Sequence, residues 1–222
     1  MATEPTTTGR KQPARDRLLQ AAARRFYADG IAATGIDTIT AEAGVAKMSL
    51  YNNFASKSDL VQAYLLARHQ EWLQLYAARC TQVDAGANVG AGGPRERVLA
   101  VFDAYLDHAE SAYEHGFRGC GQLNAAAELP VGDPSRLVVQ QHKEDVETIV
   151  RGELEHLASP DQAAQAAEHL TFLLEGSMAR AGLDGSPERI VRAKAIAQHI
   201  LDDLTRPDAP PAGTGTDTVH QS

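Results

Sequence analysis

The chain has 222 residues, 43% of them hydrophobic, and a formal net charge of −8. Such a length holds one domain or two small ones with a sizeable core. No apolar run approaches the roughly 18 residues of a membrane span, and polar Met1 to Gln12 lacks the apolar segment of a secretory leader, so the expected compartment is the cytoplasm, with no membrane partner.

The acidity is unevenly placed. Residues 1–60 hold eight Lys and Arg against six Asp and Glu, a balance of +2, which leaves −10 for the rest. A mildly basic head on an acidic body suits a protein that brings only one end to phosphates.

In chain order, residues 1–12 are unpatterned and rich in Thr, an expected disordered arm whose Arg10 and Lys11 could enter a minor groove. Pro13 suits a first helical turn, and Leu18, Leu19, Ala22 and Phe26 mark one face of a helix that runs to Asp29 and stops at Gly30. Ile36, Ile39 and Ala43 recur at helical spacing, and Gly44 follows, where a helix end favours a residue that tolerates positive φ. Val45 sits at a corner. From Lys47 a second short helix has Leu50, Tyr51 and Phe54 on one side and Lys47, Ser49, Asn52 and Asn53 on the other. That pair of short helices around a Gly-Val turn is a helix-turn-helix pattern, whose second helix enters a major groove.

Ser56 can N-cap a long helix with Asp59 at its third position. That helix continues through Leu60, Tyr64, Leu65, Trp72, Leu75 and Tyr76 to about Val83. Asp84 to Gly93 is an expected flexible loop. Pro94 opens a helix with Val98, Val101, Phe102, Tyr105 and Leu106 in a stripe, broken by Gly116 to Gly121. Helices follow over Gln122 to Leu129, Pro134 to about Ala158, Pro160 to about Gly182 and Pro187 to about Thr205, and the tail from Pro207 is expected to be disordered. The whole is all-α, about nine helices, with no convincing strand.

Ala43-Gly44-Val45, Leu50-Tyr51-Asn52-Asn53-Phe54 and Ser56-Lys57-Ser58-Asp59-Leu60, preceded by an amphipathic helix ending at Gly30, resemble the DNA-binding domain of the TetR/AcrR family of transcriptional regulators. Ala46 and Asn53 depart from the family's usual Ser and His; Ala46 removes an N-cap worth roughly 1 kcal/mol. The resemblance implies a disordered arm (1–12), a three-helix DNA-binding domain (13–60), a helical ligand-binding and dimerisation domain (61–205) and a disordered tail (206–222). It also implies a homodimer that binds a palindromic double-stranded DNA operator and is released, as a repressor, by a small-molecule effector.

Within that scheme Lys47, Ser49 and Asn52 are candidates for base edges and Met48 for a thymine methyl. Thr34, Tyr51, Asn53 and Lys57 are candidates for phosphates, with the Tyr51 ring buried and its hydroxyl outward. Thr34 can alternatively serve as a helix cap. The last two helices, with Leu170, Leu173, Leu174 and Met178, small Gly176, Ala179 and Gly182, and the stripe from Ile190 to Leu204, are candidates for pairing with a second copy. The segment Arg118 to Glu128 resembles a recurring body segment of one group in the family; Asn124 with Phe102, Tyr105 and Met178 is the candidate ligand pocket, unless Asn124 and Glu128 brace neighbouring helices instead.

Cys80 and Cys120 lack disulfide or metal spacing and read as buried thiols, although Arg118 near Cys120 leaves a redox role open. The histidines, among them His108 and His115 seven apart, lack metal-ligand spacing, and no cofactor or metal is expected. The alternatives are a ligand-independent architectural DNA binder, which a solidly packed body would favour, and an all-α small-molecule enzyme. No phosphate loop, serine elbow or metal cluster in the sequence supports an enzyme.

Overall fold

The computed structural model describes residues 13–86, 92–110 and 116–206. The expectations for the arm, the tail and His115 lie outside them. The described residues form nine helices: α1 (Ala14–Asp29), α2 (Ile36–Ala43), α3 (Lys47–Asn53), α4 (Lys57–Gly86), α5 (Pro94–Glu110), α6 (Gly121–Glu128), α7 (Pro134–Leu154), α8 (Pro160–Asp184) and α9 (Glu188–Leu204). No strand occurs among them.

The helix ends follow from local chemistry. Asp133 accepts from the Ser135 N–H at 2.8 Å and Ser56 from the Asp59 N–H at 3.0 Å, each satisfying an amide that the first turn leaves without an intrahelical partner. At the head of α8 both the hydroxyl and the amide of Ser159 donate to Gln162 Oε1, at 2.8 and 3.3 Å. Three ends differ from the sequence expectation: α4 runs three residues past Val83 to Gly86, into the expected loop. Helix α7 stops at Leu154, four residues early, in a short turn held by Leu157 N–H to Leu154 O at 2.8 Å, and α8 runs on to Asp184, where Gly185 takes the left-handed conformation.

Two apolar cores are threaded on one helix. Leu18, Phe26, Ile39, Leu50 and Phe54 pack with Leu60, Val61, Tyr64 and Leu65 from the first third of α4. Trp72, further along α4, packs with Phe102 and Tyr105 of α5, Val146 and Val150 of α7, and Leu170, Leu174 and Met178 of α8. Ala125 of α6 and Val139 of α7 belong to the first core, so the body reaches forward into the head. Phe26 meets Tyr64 edge-on at 5.5 Å, a favoured aromatic geometry.

One of the small residues of α8, Gly182, packs within its own chain. A Cβ on Gly182 would stand 2.8 Å from the Gly119 nitrogen and 2.9 Å from the Arg118 carbonyl oxygen. The close approach that Gly182 permits is to the 116–120 segment of its own chain. Gly176 has open space around it.

Candidate nucleic-acid interface and interior cavity

Helices α2 and α3 are set by their turn. Gly44 is left-handed (φ 62°), its N–H donates to Ala41 O at 3.2 Å, and the Val45 N–H reaches back to Thr40 O at 3.1 Å, which closes the C-terminus of α2. Arg17 of α1 donates to the carbonyls of Ala43 and Gly44 at 3.0 and 3.2 Å. A cation thus meets the negative end of the α2 dipole. Glu42 receives Arg24 at 2.6 Å and also Arg25, tying the same two helices together.

Helix α3 has no side-chain cap at Ala46. It buries Leu50 and, one turn later, Phe54, and presents Met48, 70% exposed, and Asn52 to solvent. Ser49 is half-buried. Asn53 donates to the Ser49 carbonyl at 2.7 Å, which uses one amide N–H and leaves another. Lys47 is exposed but paired with Asp37 of α2 at 2.8 Å.

Three expected contacts change on inspection of the geometry. Tyr51 is 46% exposed, so its ring is not in the core; it lies about 100° around the helix from Leu50, whose face the core occupies. Thr34 is 2% exposed, and its hydroxyl donates to Gly30 O at 2.6 Å, which makes it a brace of the α1–α2 loop and not a phosphate ligand. Lys57 donates to Ile31 O at 2.5 Å, so its ammonium locks the start of α4 to that same loop. The cations of the head are in this way largely engaged within it.

The second candidate site lies in the body. A cavity of about 20 Å³ is lined by Arg68, Tyr105, His108, Cys120, Gln122, His142 and Met178, with Phe117 and Gly119. Of the four residues expected at a pocket, Tyr105 and Met178 are on its wall. Phe102 is buried in the apolar core behind it, and Asn124 donates to Arg118 O at 2.9 Å, bracing its own loop. Glu128 likewise accepts the Ala32 N–H at 2.8 Å, so both polar residues of α6 serve as braces.

The wall is more polar than its helical stripes predict. Lys143 donates to Glu175 at 2.7 Å, to the Tyr105 hydroxyl at 3.3 Å and to Cys120 Sγ at 3.6 Å. Burial pulls the Lys143 pKa down, but the surrounding Cys120, Tyr105 and Glu175 more than offset it and keep the ammonium charged. The cation beside Cys120 is therefore Lys143; Arg118 points away, to α1. His142 and His69 share a hydrogen bond, Nδ1 to Nδ1 at 2.9 Å, and His142 Nε2 stands 3.4 Å from the Tyr105 hydroxyl. Burial first, then Lys143, pushes the His142 pKa down to about 2, and burial with Arg68 pushes His108 down to about 3. Both rings are neutral near pH 7. Tyr64 Oη, His108 Nε2 and Gln122 Oε1 are buried polar atoms with no hydrogen-bond partner, and a Cβ on cavity-lining Gly121 would come within 3.1 Å of Tyr64 Oη.

Sequence reasoning missed Arg68, Gln122, His142 and Lys143. A signal existed for two of them. Arg68 falls midway between Tyr64 and Trp72, and His142 between Val139 and Val146, polar residues standing where an apolar stripe calls for another apolar one. No group of three or more His, Cys, Asp and Glu among the described residues could hold a metal ion.

The loop that forms one wall of the cavity also grips the head. Arg118 donates through its guanidinium to the carbonyls of Tyr27, at 2.6 Å, and Ala28, and through its backbone N–H to the Tyr27 hydroxyl at 2.5 Å. Tyr27 in turn donates to Gly119 O at 3.2 Å.

A helix-turn-helix head on a helical body, joined by one long helix, defines a transcriptional regulator of the helix-turn-helix class. Residues 18–64 match the family model for bacterial regulatory proteins of the tetR family. A TetR-family transcriptional regulator from Streptomyces coelicolor is 34% identical and superimposes with a TM-score of 0.73, over 87% of this chain and 96% of that one. The chain belongs to the TetR family of transcriptional regulators. It is also 35% identical over 102 residues to the transcriptional repressor KstR2 of Mycobacterium tuberculosis, a match over 46% of this chain and 47% of that protein, and 39% identical over 59 residues to the regulator TtgR of Pseudomonas putida. The match thus covers about half the length of KstR2 and 28% of TtgR. No described helix is long and apolar enough to cross a membrane.

Proposed function

We propose that the protein is a homodimeric repressor that holds a palindromic operator through α3 and lets it go when a small molecule enters the body. The observation that carries this reading is the double role of the 116–122 segment: Gly119, Cys120 and Gln122 line the cavity, while Arg118 and Gly119 bond Tyr27 and Ala28 at the end of α1. A ligand that displaces the cavity wall displaces the handle by which the body holds the head. The shift it produces is bounded by its differential affinity for the two arrangements.

The proposed division puts the DNA-binding unit at 13–60 and the ligand-binding and dimerisation unit at 61–205. Met48, Ser49 and Asn52 face base edges, with Lys47 once it leaves Asp37, and Tyr51 and Asn53 face phosphates. Pairing of two copies through α8 and α9 is supported by exposed Phe172 and Leu183 on one and Val191 and Ile196 on the other, apolar side chains that pairing would take out of water. Two reading heads related by a two-fold axis then address half-sites about 10 bp or a multiple apart.

A second function is favoured by one observation. An interior of about 20 Å³ is tightly packed, as in a DNA-binding protein that answers to no ligand. Against it stand the buried polar atoms around that space, which a purely structural core would pair or omit.

Fluorescence anisotropy on DNA from upstream of the protein's own coding region, with random DNA of equal length and a salt series, tests the regulator. Tight, dimer-stoichiometric preference for one sequence supports it; equal, weak binding to all DNA supports the architectural alternative, and no binding at low salt sinks both.

A further inference from the structure

The head carries six cations among its described residues, and five of them are engaged within it. Arg17 donates to the carbonyls of Ala43 and Gly44 at 3.0 and 3.2 Å, Arg24 and Arg25 hold Glu42, Lys47 pairs with Asp37 at 2.8 Å, and Lys57 donates to Ile31 O at 2.5 Å. The sixth is Arg15, in the first turn of α1. Its guanidinium carbon stands 5.3 Å from the centroid of the Phe54 ring, the residue is exposed, and no carboxylate or carbonyl among the described residues holds it.

A cation held by a ring keeps its hydrogen-bonding capacity. The attraction comes from the quadrupole of the ring, so the five N–H donors of the guanidinium stay available, where a bidentate ion pair would occupy two of them. Phe54 is 5% exposed and belongs to the core beneath α3, so the ring that steadies Arg15 is itself fixed. A long side chain that would otherwise sample many rotamers is held at the surface with its donors free, which lowers the entropy lost when they find a partner.

The position matters as much as the state. Phe54 directly follows α3, so Arg15 stands at the C-terminal end of the recognition helix, the end opposite Lys47. With seven residues α3 is about 10 Å long at 1.5 Å per residue, close to the roughly 12 Å width of a major groove. A helix of that length seated in the groove leaves its ends within a side chain's reach of the phosphates that bound it. At this end Asn53 is exposed next to Phe54 and keeps one amide N–H after bonding the Ser49 carbonyl.

Resting on the regulator proposed above, through the seat of α3 in the groove, we infer that Arg15 is a phosphate clamp. Its guanidinium grips a backbone phosphate at the C-terminal end of α3, beside Asn53. It is a positioning residue: it fixes the register of the head on the duplex and reads no base.

The test titrates the full-length chain, Arg15→Met and Arg15→Lys by fluorescence anisotropy across a salt series, on the duplex from upstream of the protein's own coding region and on random DNA of equal length. Methionine covers Phe54 without a charge, and lysine keeps the charge without the fork. Arg15→Met should weaken binding to both duplexes by the same factor, roughly tenfold to a hundredfold near 0.1 M salt, and reduce the slope of log affinity against log salt by about 1.8 per dimer, at about 0.9 for each phosphate released. Arg15→Lys should keep the wild-type slope and lose less than about tenfold in affinity. The melting temperatures of all three should agree.

An unchanged slope in Arg15→Met overturns the inference, and with a lowered melting temperature it would mean that Arg15 only covers Phe54. A loss confined to the upstream duplex also overturns it, since that would make Arg15 a reader of bases. Both outcomes leave the regulator standing while the wild-type chain prefers one duplex. A wild-type chain without sequence preference defeats the regulator instead, and the Arg15→Met slope still decides the clamp; a wild-type chain that binds no DNA at low salt defeats both.

Discussion

Arg118 and Tyr27 are bonded twice over: the guanidinium donates to the Tyr27 carbonyl at 2.6 Å and the backbone N–H to the Tyr27 hydroxyl at 2.5 Å. The first contact caps carbonyls that α1 leaves open at its C-terminus, with a cation where the dipole favours one. Arg118→Ala is expected to lower stability by about 1–3 kcal/mol, read by urea unfolding. Tyr27→Phe keeps the packing and removes the hydroxyl, for a loss of about 1 kcal/mol. In an effector titration against operator-bound protein, both variants should bind effector normally and release DNA poorly. Undiminished release in both would remove Arg118 from the path.

Gly182 stands closest to neighbouring backbone among the described glycines. A methyl group there meets backbone atoms of Arg118 and Gly119 at 2.8 to 2.9 Å, and these are not flexible side-chain ends. Gly182→Ala should destabilise by about 1–3 kcal/mol through overpacking, despite Ala being the better helix former. Gly176→Ala, with open space around it, should be neutral or stabilising. Thermal melts of the two variants side by side give the comparison.

Glu42 links the head to pH. Burial raises its pKa, but hydrogen bonds from Arg24 and Arg25 more than offset this, so it lies below the ordinary carboxylate value. A carboxylate with a depressed folded-state pKa contributes stability that is present above the unfolded value and is lost as pH falls through the folded one. Glu42→Gln should therefore be less stable than wild type at pH 7, with the gap closing below pH 4. A gap that persists unchanged at pH 3 would mean that packing, and not charge, sets the effect.

The buried histidines act over a different window. His142 and His108 are held near 2 and 3, far below the ordinary value of 6.5. As pH drops below 6.5 the unfolded chain takes up protons that the folded chain refuses, so stability declines by up to about 1.4 kcal/mol per pH unit for each ring. Denaturant unfolding at pH 7 and 5.5 should show this fall, and His142→Met should flatten it.

Much of the helical order is legible in the sequence because the punctuation is local. Pro94, Pro134 and Pro160 open helices, and Gly30 and Gly44 close them, each for a reason contained within four residues. The head is legible for the same cause: Leu50 and Phe54 one turn apart define the buried side of α3. What could not be read depends on partners far along the chain. Lys57 finds Ile31 across 26 residues and Arg118 finds Tyr27 across 91, and nothing at either position announces the other. The pocket was half legible. Tyr105 and Met178 lie where an apolar stripe would put them, whereas the polar wall from Gln122 and His142 is made only when α4, α5, α6 and α7 converge.

The ion pair between Lys47 and Asp37, 2.8 Å long at the mouth of the recognition helix, bears on how DNA is found. A lysine already paired must change partners on reaching a base edge, and the carboxylate it leaves behind then stands close to a polyanion. Asp37→Asn removes a negative charge facing the duplex and is expected to tighten binding to every DNA by roughly threefold to tenfold, measured by anisotropy on operator and random duplexes; unchanged affinity would mean that Asp37 stands clear of the phosphates. The wild-type pairing makes indiscriminate DNA a poorer resting place. A molecule that lingers less on the wrong sequences spends more of its time in search, and the acid that weakens each encounter shortens the way to the right one.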